Sequence, residues 1–182
     1  VFIALGGNFA AAAPDTAQTH QALRQCALTV HIATKLNRSH LVHGREALIL
    51  PCLGRTEIDM QASGTQAVTV EDSMSMVHLS AGRNAPASEH LLSEPAIVAR
   101  LAAATLGERS QVPWLWLVED YARIREEIEK VFPDFHGFNA RVAAPGGFRL
   151  RNTASERVWA TASGKAAFLP HPVPPLHKHP FT

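Results

Sequence analysis

Long apolar runs are missing from this sequence. No stretch approaches the ~18 apolar residues of a membrane span, so a membrane partner is excluded. The opening run Val1 to Leu5 has no basic segment before it and is too short for a secretory signal. Cysteine is scarce: Cys26 and Cys52 are the only two, too few and too far apart for a CxxC metal or redox motif. They could pair with each other, but free Cys behaves as a small apolar residue, and two buried free thiols in a reducing cytoplasm are expected. Neither sign of charge is in excess, with 17 basic and 16 acidic residues giving a net +1. That balance lacks the electrostatic footprint a phosphate backbone requires, which excludes nucleic acid. A complete G-x-G-x-x-G is absent, because Ala10 to Ala13 follow the first glycines, and this disfavours an ordinary dinucleotide site. There is no G-x-S-x-G elbow to support a serine nucleophile, and Ser163 lacks a strand-to-helix setting. No internal repeat is found.

What is present suits a soluble globular domain. The 46% hydrophobic content of 182 residues can fill the core of one domain. The chain opens on an apolar run with no initiator Met, and we expect it to be an internal piece of a longer protein. Three short apolar runs lie in the first fifty residues, separated by segments that can be helical, which is the pattern of a parallel sheet with crossovers. Val1 to Leu5 is expected as the first strand, and Gly6, Gly7 and Asn8 break it. Asp15 is placed to cap a helix that runs to about Gln25. Leu28 to Ala33 and Ala47 to Leu50 are the second and third strands, with a short helical turn from Asn37 to Arg45 between them and Pro51 stopping the third. From Gly54 to Gly82 the texture becomes irregular loops and small strands, with Met74 and Met76 alternating as in a half-buried strand.

Further on, Ser93 reads as the N-cap of a helix to Leu106, with Pro95 in its first turn and Gly107 as its stop. A second helix is expected from Pro113 to Phe132. Its apolar stripe is Leu117, Tyr121, Ile124, Ile128 and Val131, and Glu119 with Arg123 and Glu126 with Lys130 form (i, i+4) pairs. The tail from Pro170 to Thr182, rich in proline, is expected to be extended.

Candidate chemistry is sparse. The Gly6-Gly7-Asn8 turn stands where α/β sheets bind nucleotides, since glycine admits a ligand to the backbone and helix amides point at it; a tight turn without a ligand is the alternative. His40 with His43, and His171, His177 and His179, invite a metal, but neither set has a Cys or carboxylate at metal-ligand spacing. His40 and His43 are expected as polar members of a short helix. Glu119-Asp120 and Glu126-Glu127 are expected as solvated helix carboxylates. We assign no catalytic residue and no metal ligand.

The order of four segments carries a resemblance. VFIALGGNF, LTVHIATKLNRSH, REALILPCLGRTEID and LLSEPAIVARLAAATLG together resemble the molybdopterin oxidoreductase family, in particular its formate-dehydrogenase-like alpha subunits, over about Val1 to Gly107. The resemblance implies a Rossmann-like α/β fold, a parallel sheet with flanking helices. Residues 1–110 would be the nucleotide-binding domain, 111–150 a helical extension of it, and 151–182 the lead-in to a C-terminal barrel, carried by Arg157 to Phe168. It further implies a molybdenum-bis(molybdopterin guanine dinucleotide) cofactor, with an iron-sulfur cluster in the parent but not in this chain. The parent would act on formate or a similar small molecule, and the partners of this chain would be the parent's remaining domains.

Carried over by position, Asn8 matches the turn asparagine that contacts the cofactor, with Gly6 and Gly7 keeping the approach open. Ala33 and Thr34 end the strand that delivers polar contacts to the nucleotide, and Thr34 departs from the aspartate common there. Arg55 lies near a basic cofactor contact. Glu94 matches the acidic residue that accepts hydrogen bonds from the guanine edge, an apt task for a carboxylate; its other reading is a helix-start charge favoured by the macrodipole. A cofactor-free nucleotide-binding or interaction domain of the same fold is the competing function.

Overall fold

The computed structural model describes residues 1–173. Strands β1 (Phe2–Leu5), β2 (Leu28–Ala33) and β3 (Glu46–Pro51) form a parallel sheet in the order β1-β2-β3. Helices α1 (Phe9–Ala12) and α2 (Thr16–Arg24) connect the first two strands, and a single 3-10 turn (Arg38–Leu41) lies between the second and third. The sequence explains each part. The Asp15 carboxylate accepts the Gln18 N–H at 2.9 Å and starts α2, satisfying an amide that the helix itself leaves free. Alternating β-branched and apolar residues then form the central strand β2, where Thr29, His31 and Ile32 are buried.

The third strand ends at Pro51, with the proline as its last residue and not the first beyond it. Pro51 belongs to the strand and pairs with Ala33, because β3 is an edge strand and a proline can sit where no N–H is needed.

A small hairpin of β4 (Met60–Gln61) and β5 (Gly64–Thr65) follows, then an antiparallel sheet of β6 (Val68–Glu71) and β7 (Met76–Ser80). Met74 is 71% exposed in the turn between β6 and β7 and is not part of a half-buried strand. Helix α3 (Glu94–Leu106) begins after Ser93, whose hydroxyl accepts the Ala96 N–H, and ends at Gly107.

The long second helix is two helices, α4 (Trp114–Glu119) and α5 (Tyr121–Val131). Asp120 is extended at φ −150° and its carboxylate accepts the Ala122 N–H at 2.9 Å, so it caps a new helix instead of continuing the old one. Glu119 reaches Arg123 across this break at 2.9 Å, while Lys130 pairs with Glu127 and not with Glu126. Helix α6 (Phe138–Ala143) and strand β8 (Phe148–Arg149) complete the fold. Because β8 pairs with β7, residues 111–150 are not purely a helical extension.

The core is divided into three clusters. Phe2 packs on Ala10, Leu23 and Val42 beneath the parallel sheet. Ala99, Val118 and Tyr121 join α3, α4 and α5. Val77, Phe138, Val142 and Phe148 form the third, with the last two rings of the Phe135-Phe138-Phe148 group edge to face at 5.7 Å. Burying a ring such as Phe138 stabilises by about 1.5–3 kcal/mol. Cys52 is a buried free thiol, whereas Cys26 is half-buried. His177, His179 and the rest of residues 174–182 lie outside the described residues. Among the described residues no three His, Cys, Asp or Glu side chains gather to hold a metal, and no helix is long and apolar enough to cross a membrane.

Candidate functional site

Ligands of open α/β sheets bind beyond the carboxyl ends of parallel strands, and the site is assembled there. After Leu5 the chain enters Gly6 and Gly7, with φ of +67° and +72°, a backbone shape that costs other residues strain. The Gly6 N–H still donates to the Ile32 carbonyl at 2.8 Å, extending the ladder by one bond before the chain turns away. The Asn37 side-chain amide donates to the Gly7 carbonyl at 2.9 Å, and its oxygen accepts the Ser39 N–H at 2.8 Å. The loop after β2 therefore props the loop after β1. Asn8 occupies the N-cap position of α1 without a side-chain capping bond.

Glu94, the first residue of α3, is exposed and meets this turn. A Cβ built on Gly6 would lie 3.2 Å from Glu94 Oε1. Glycine at position 6 is thus what leaves space for the carboxylate.

Beside it opens a cleft of about 520 Å³ lined by Thr34, Lys35, Arg55, Glu57, Glu94 and Tyr121, among others. The structure brings Thr34, Arg55 and Glu94 onto this one cleft, with Gly6 against Glu94. Gly7 and Asn8 stand in the adjoining turn and Ala33 in the end of β2, and none of these three lines the cleft.

The Arg55 guanidinium is exposed, 3.4 Å from the Ser80 hydroxyl, leaving most of its donors for a ligand. Glu57 is committed: it accepts the Gly54 N–H at 2.6 Å and the Ala87 N–H at 2.7 Å, and these two bonds hold its carboxyl below the usual range. The Cys52 thiol is pushed up by burial and, after that, by Glu94 and Glu57, which keeps it protonated and unreactive.

The cleft is also lined by a polar network. The Tyr121 hydroxyl donates to the Asp59 carboxylate and lies 2.7 Å from the Ser93 hydroxyl. Gln61 donates to Asp59 at 2.6 Å, and the Tyr121 N–H donates to the Gln66 side-chain Oε1 at 2.8 Å. Burial, then the bond to Asp59, raises the Tyr121 phenol far above its ordinary value. It is neutral throughout the physiological range and ties elements together instead of moving protons. The groups lining the cleft are those of a binding wall: the cations Lys35 and Arg55, the exposed carboxylate of Glu94, the hydrogen-bonded carboxylates of Glu57 and Asp59, and hydroxyls.

No family model matches the chain, and no solved structure matches it. The protein YdeP of Shigella flexneri is 58% identical over 167 residues, 92% of this chain and 22% of that protein. YdeP of Escherichia coli is 57% identical over the same length and shares. A protein of Mycobacterium tuberculosis named an uncharacterized oxidoreductase is 51% identical over 174 residues, 95% of this chain and 22% of its own length. The chain is similar to one segment of each. It spans about a fifth of the length of these curated relatives.

Asp59, Gln66, Ser93 and Tyr121 were not legible as site residues. Tyr121 fits the apolar stripe of one long helix, and only the break at Asp120 turns its phenol toward Asp59. The signal available was Asp120 itself, a strong N-cap residue inside a helical run.

Proposed function

We propose that this chain is one wall of the nucleotide end of a molybdenum cofactor site in an oxidoreductase, with formate or a similar small molecule as the parent's substrate class. The observation that carries the reading is the Glu94 carboxylate set against Gly6 beyond the parallel strands, beside a cleft bearing Arg55 and Lys35. The residues fit the guanine dinucleotide end of molybdenum-bis(molybdopterin guanine dinucleotide). Guanine presents adjacent N–H donors, which a carboxylate accepts as a pair of charge-assisted bonds. Arg55 and Lys35 suit phosphate oxygens, Thr34 offers a hydroxyl, and the missing side chain at Gly6 opens the backbone. The cleft volume falls within the roughly 300–1,000 Å³ usual for small-ligand sites.

When bound, such a cofactor supplies the redox chemistry at its metal. The residues here bind and orient its far end, and none is assigned a proton transfer. An iron-sulfur cluster is proposed for the parent and outside this chain. Within this chain, residues 1–110 are proposed as the cofactor domain and 151–182 as a lead-in to a barrel, and the parent's setting is proposed to be cytoplasmic. The coarse part of the proposal, an oxidoreductase, is supported by the name that the mycobacterial relatives carry.

The test is Glu94→Gln in a full-length polypeptide carrying this segment, expressed with ample molybdate. One acceptor oxygen becomes a donor facing a donor, so molybdenum and pterin per polypeptide should fall together. Unchanged occupancy with an unchanged melting temperature would leave Glu94 a helix-start charge. An unsubstituted parent without metal or pterin would sink the cofactor reading.

A further inference from the structure

The parallel sheet has two faces, and one is largely uncovered. The strand register puts Phe2, Ala4, Thr29 and His31 on the face packed by α1, α2 and the 3-10 turn. Ile3, Leu5, Val30, Ile32, Leu48 and Leu50 share the other face, behind Leu28 and the exposed Glu46 at the strand starts. All six are aliphatic. Ile32 is buried, but Ile3, Leu5, Leu48 and Leu50 are 48%, 44%, 50% and 41% exposed. Leu5 continues this surface into an apolar groove of about 630 Å³ that includes Val68, Val70, Pro95, Val98 and Leu117.

Single exposed aliphatics are ordinary, whereas a contiguous aliphatic sheet face is not. Parallel sheets occur almost only with both faces covered. Right-handed crossovers along the order β1-β2-β3 place both connections on the same side, so this chain's own connections cannot supply the second layer. In a doubly wound sheet that layer follows strands added beyond the first strand.

The two edges differ in a way that selects the direction. The Glu46 N–H donates inward to Ala27 O, so by alternation Ala47, Ile49 and Pro51 face outward from β3. Pro51 has no N–H to offer a neighbour, which blunts that edge. On β1 the Gly6 N–H points inward to Ile32 O, so the amides of Ile3 and Leu5 face outward, and β1 pairs only with β2 among the described residues.

We propose that the free edge of β1 takes a further parallel strand, and that the aliphatic face takes the amphipathic helix connected to it. Both come from the part of a longer polypeptide that lies outside this segment. The source follows from the relatives, in which the matched segment is 22% of the protein. A second copy of this chain paired edge to edge would leave the aliphatic face uncovered. The inference rests on the sheet alone and stands apart from the cofactor.

Amide hydrogen exchange at Ile3 and Leu5 tests it, comparing the 182-residue chain with a chimera in which the chain replaces its matched segment in Escherichia coli YdeP. Exchange at both amides should slow by about a hundredfold or more in the chimera, while Val30 and Ile32, inside the ladder, are protected in both. The face is tested at the strand next to the proposed one by Ile3→Glu, since Ile3 is 48% exposed; it should leave the melting temperature of the isolated chain nearly unchanged and lower that of the chimera. Should the chimera not fold, native YdeP is measured at the aligned positions. Fast exchange at those positions in the long protein overturns the strand, and equal effects of Ile3→Glu in both settings overturn the helix. A stable dimer of the isolated chain that protects Ile3 and Leu5 assigns the surface to a second copy and overturns both.

Discussion

Glu94 Oε1 stands 3.2 Å from the point where a Cβ on Gly6 would sit. The two residues come from opposite halves of the described fold, the turn after β1 and the first turn of α3. Their approach places a carboxylate at the mouth of the parallel sheet.

Gly6→Ala should destabilise for two separable reasons. A φ of +67° costs an L side chain about 1–2 kcal/mol, and the new methyl presses on Glu94. Gly7→Ala is the control, since its φ is +72° but nothing lies within 4 Å of its Cβ position. By thermal unfolding, Gly6→Ala should lose more than Gly7→Ala, at roughly 2–4 °C per kcal/mol. Adding Glu94→Ala should recover the difference. Equal losses in the two glycine variants would show that the carboxylate yields freely.

Tyr121→Phe removes one hydroxyl and strands its partners Asp59 and Ser93. Leaving a buried polar group unmatched costs about 1–3 kcal/mol, and the urea midpoint should fall with the slope unchanged. The ring still fills its place, so the loss should come from the unmatched partners alone. Wild-type stability would mean that the network is dispensable.

His31 gives stability a pH dependence whose sign is fixed by burial. Its ring is 4% exposed, its Nε2 has no partner, and the His40 ring lies 5.0 Å away. Burial first, and the neighbouring imidazole second, hold its pKa below the ordinary 6.5. The folded state therefore prefers neutral His31, while the unfolded chain protonates it near 6.5. Its contribution is complete above that value and is lost as pH falls below it toward the folded pKa. The melting temperature should drop between about pH 7.5 and pH 5.5, and His31→Phe should flatten part of that drop. An equal slope in the variant would place the titration elsewhere.

Local signals decided how much of this was readable in the sequence. Leu28–Ala33 and Glu94–Leu106 follow from β-branched alternation and from a Ser cap, a Pro and a Gly stop, all of which act within a few residues. The turn at Gly6 and the acidic start of α3 were visible as separate features. That they meet was not, because it depends on where some ninety residues of intervening chain return the start of α3. Tyr121 and Asp59 were hidden for the same reason: a phenol in a helical stripe looks apolar until its partner is known. Met74 misled because alternation alone does not tell a strand from the turn beside it.

The three apolar clusters have a consequence for cooperativity. A single large core makes a protein open all at once, whereas small ones with polar seams between them let parts open at their own free energies. The cleft lies along such a seam, with Thr34 on the loop after β2 and Tyr121 at the head of α5. A ligand lodged there would act as a clasp, fastening units that otherwise breathe separately. Its occupancy would then sharpen the melting transition as well as raise it.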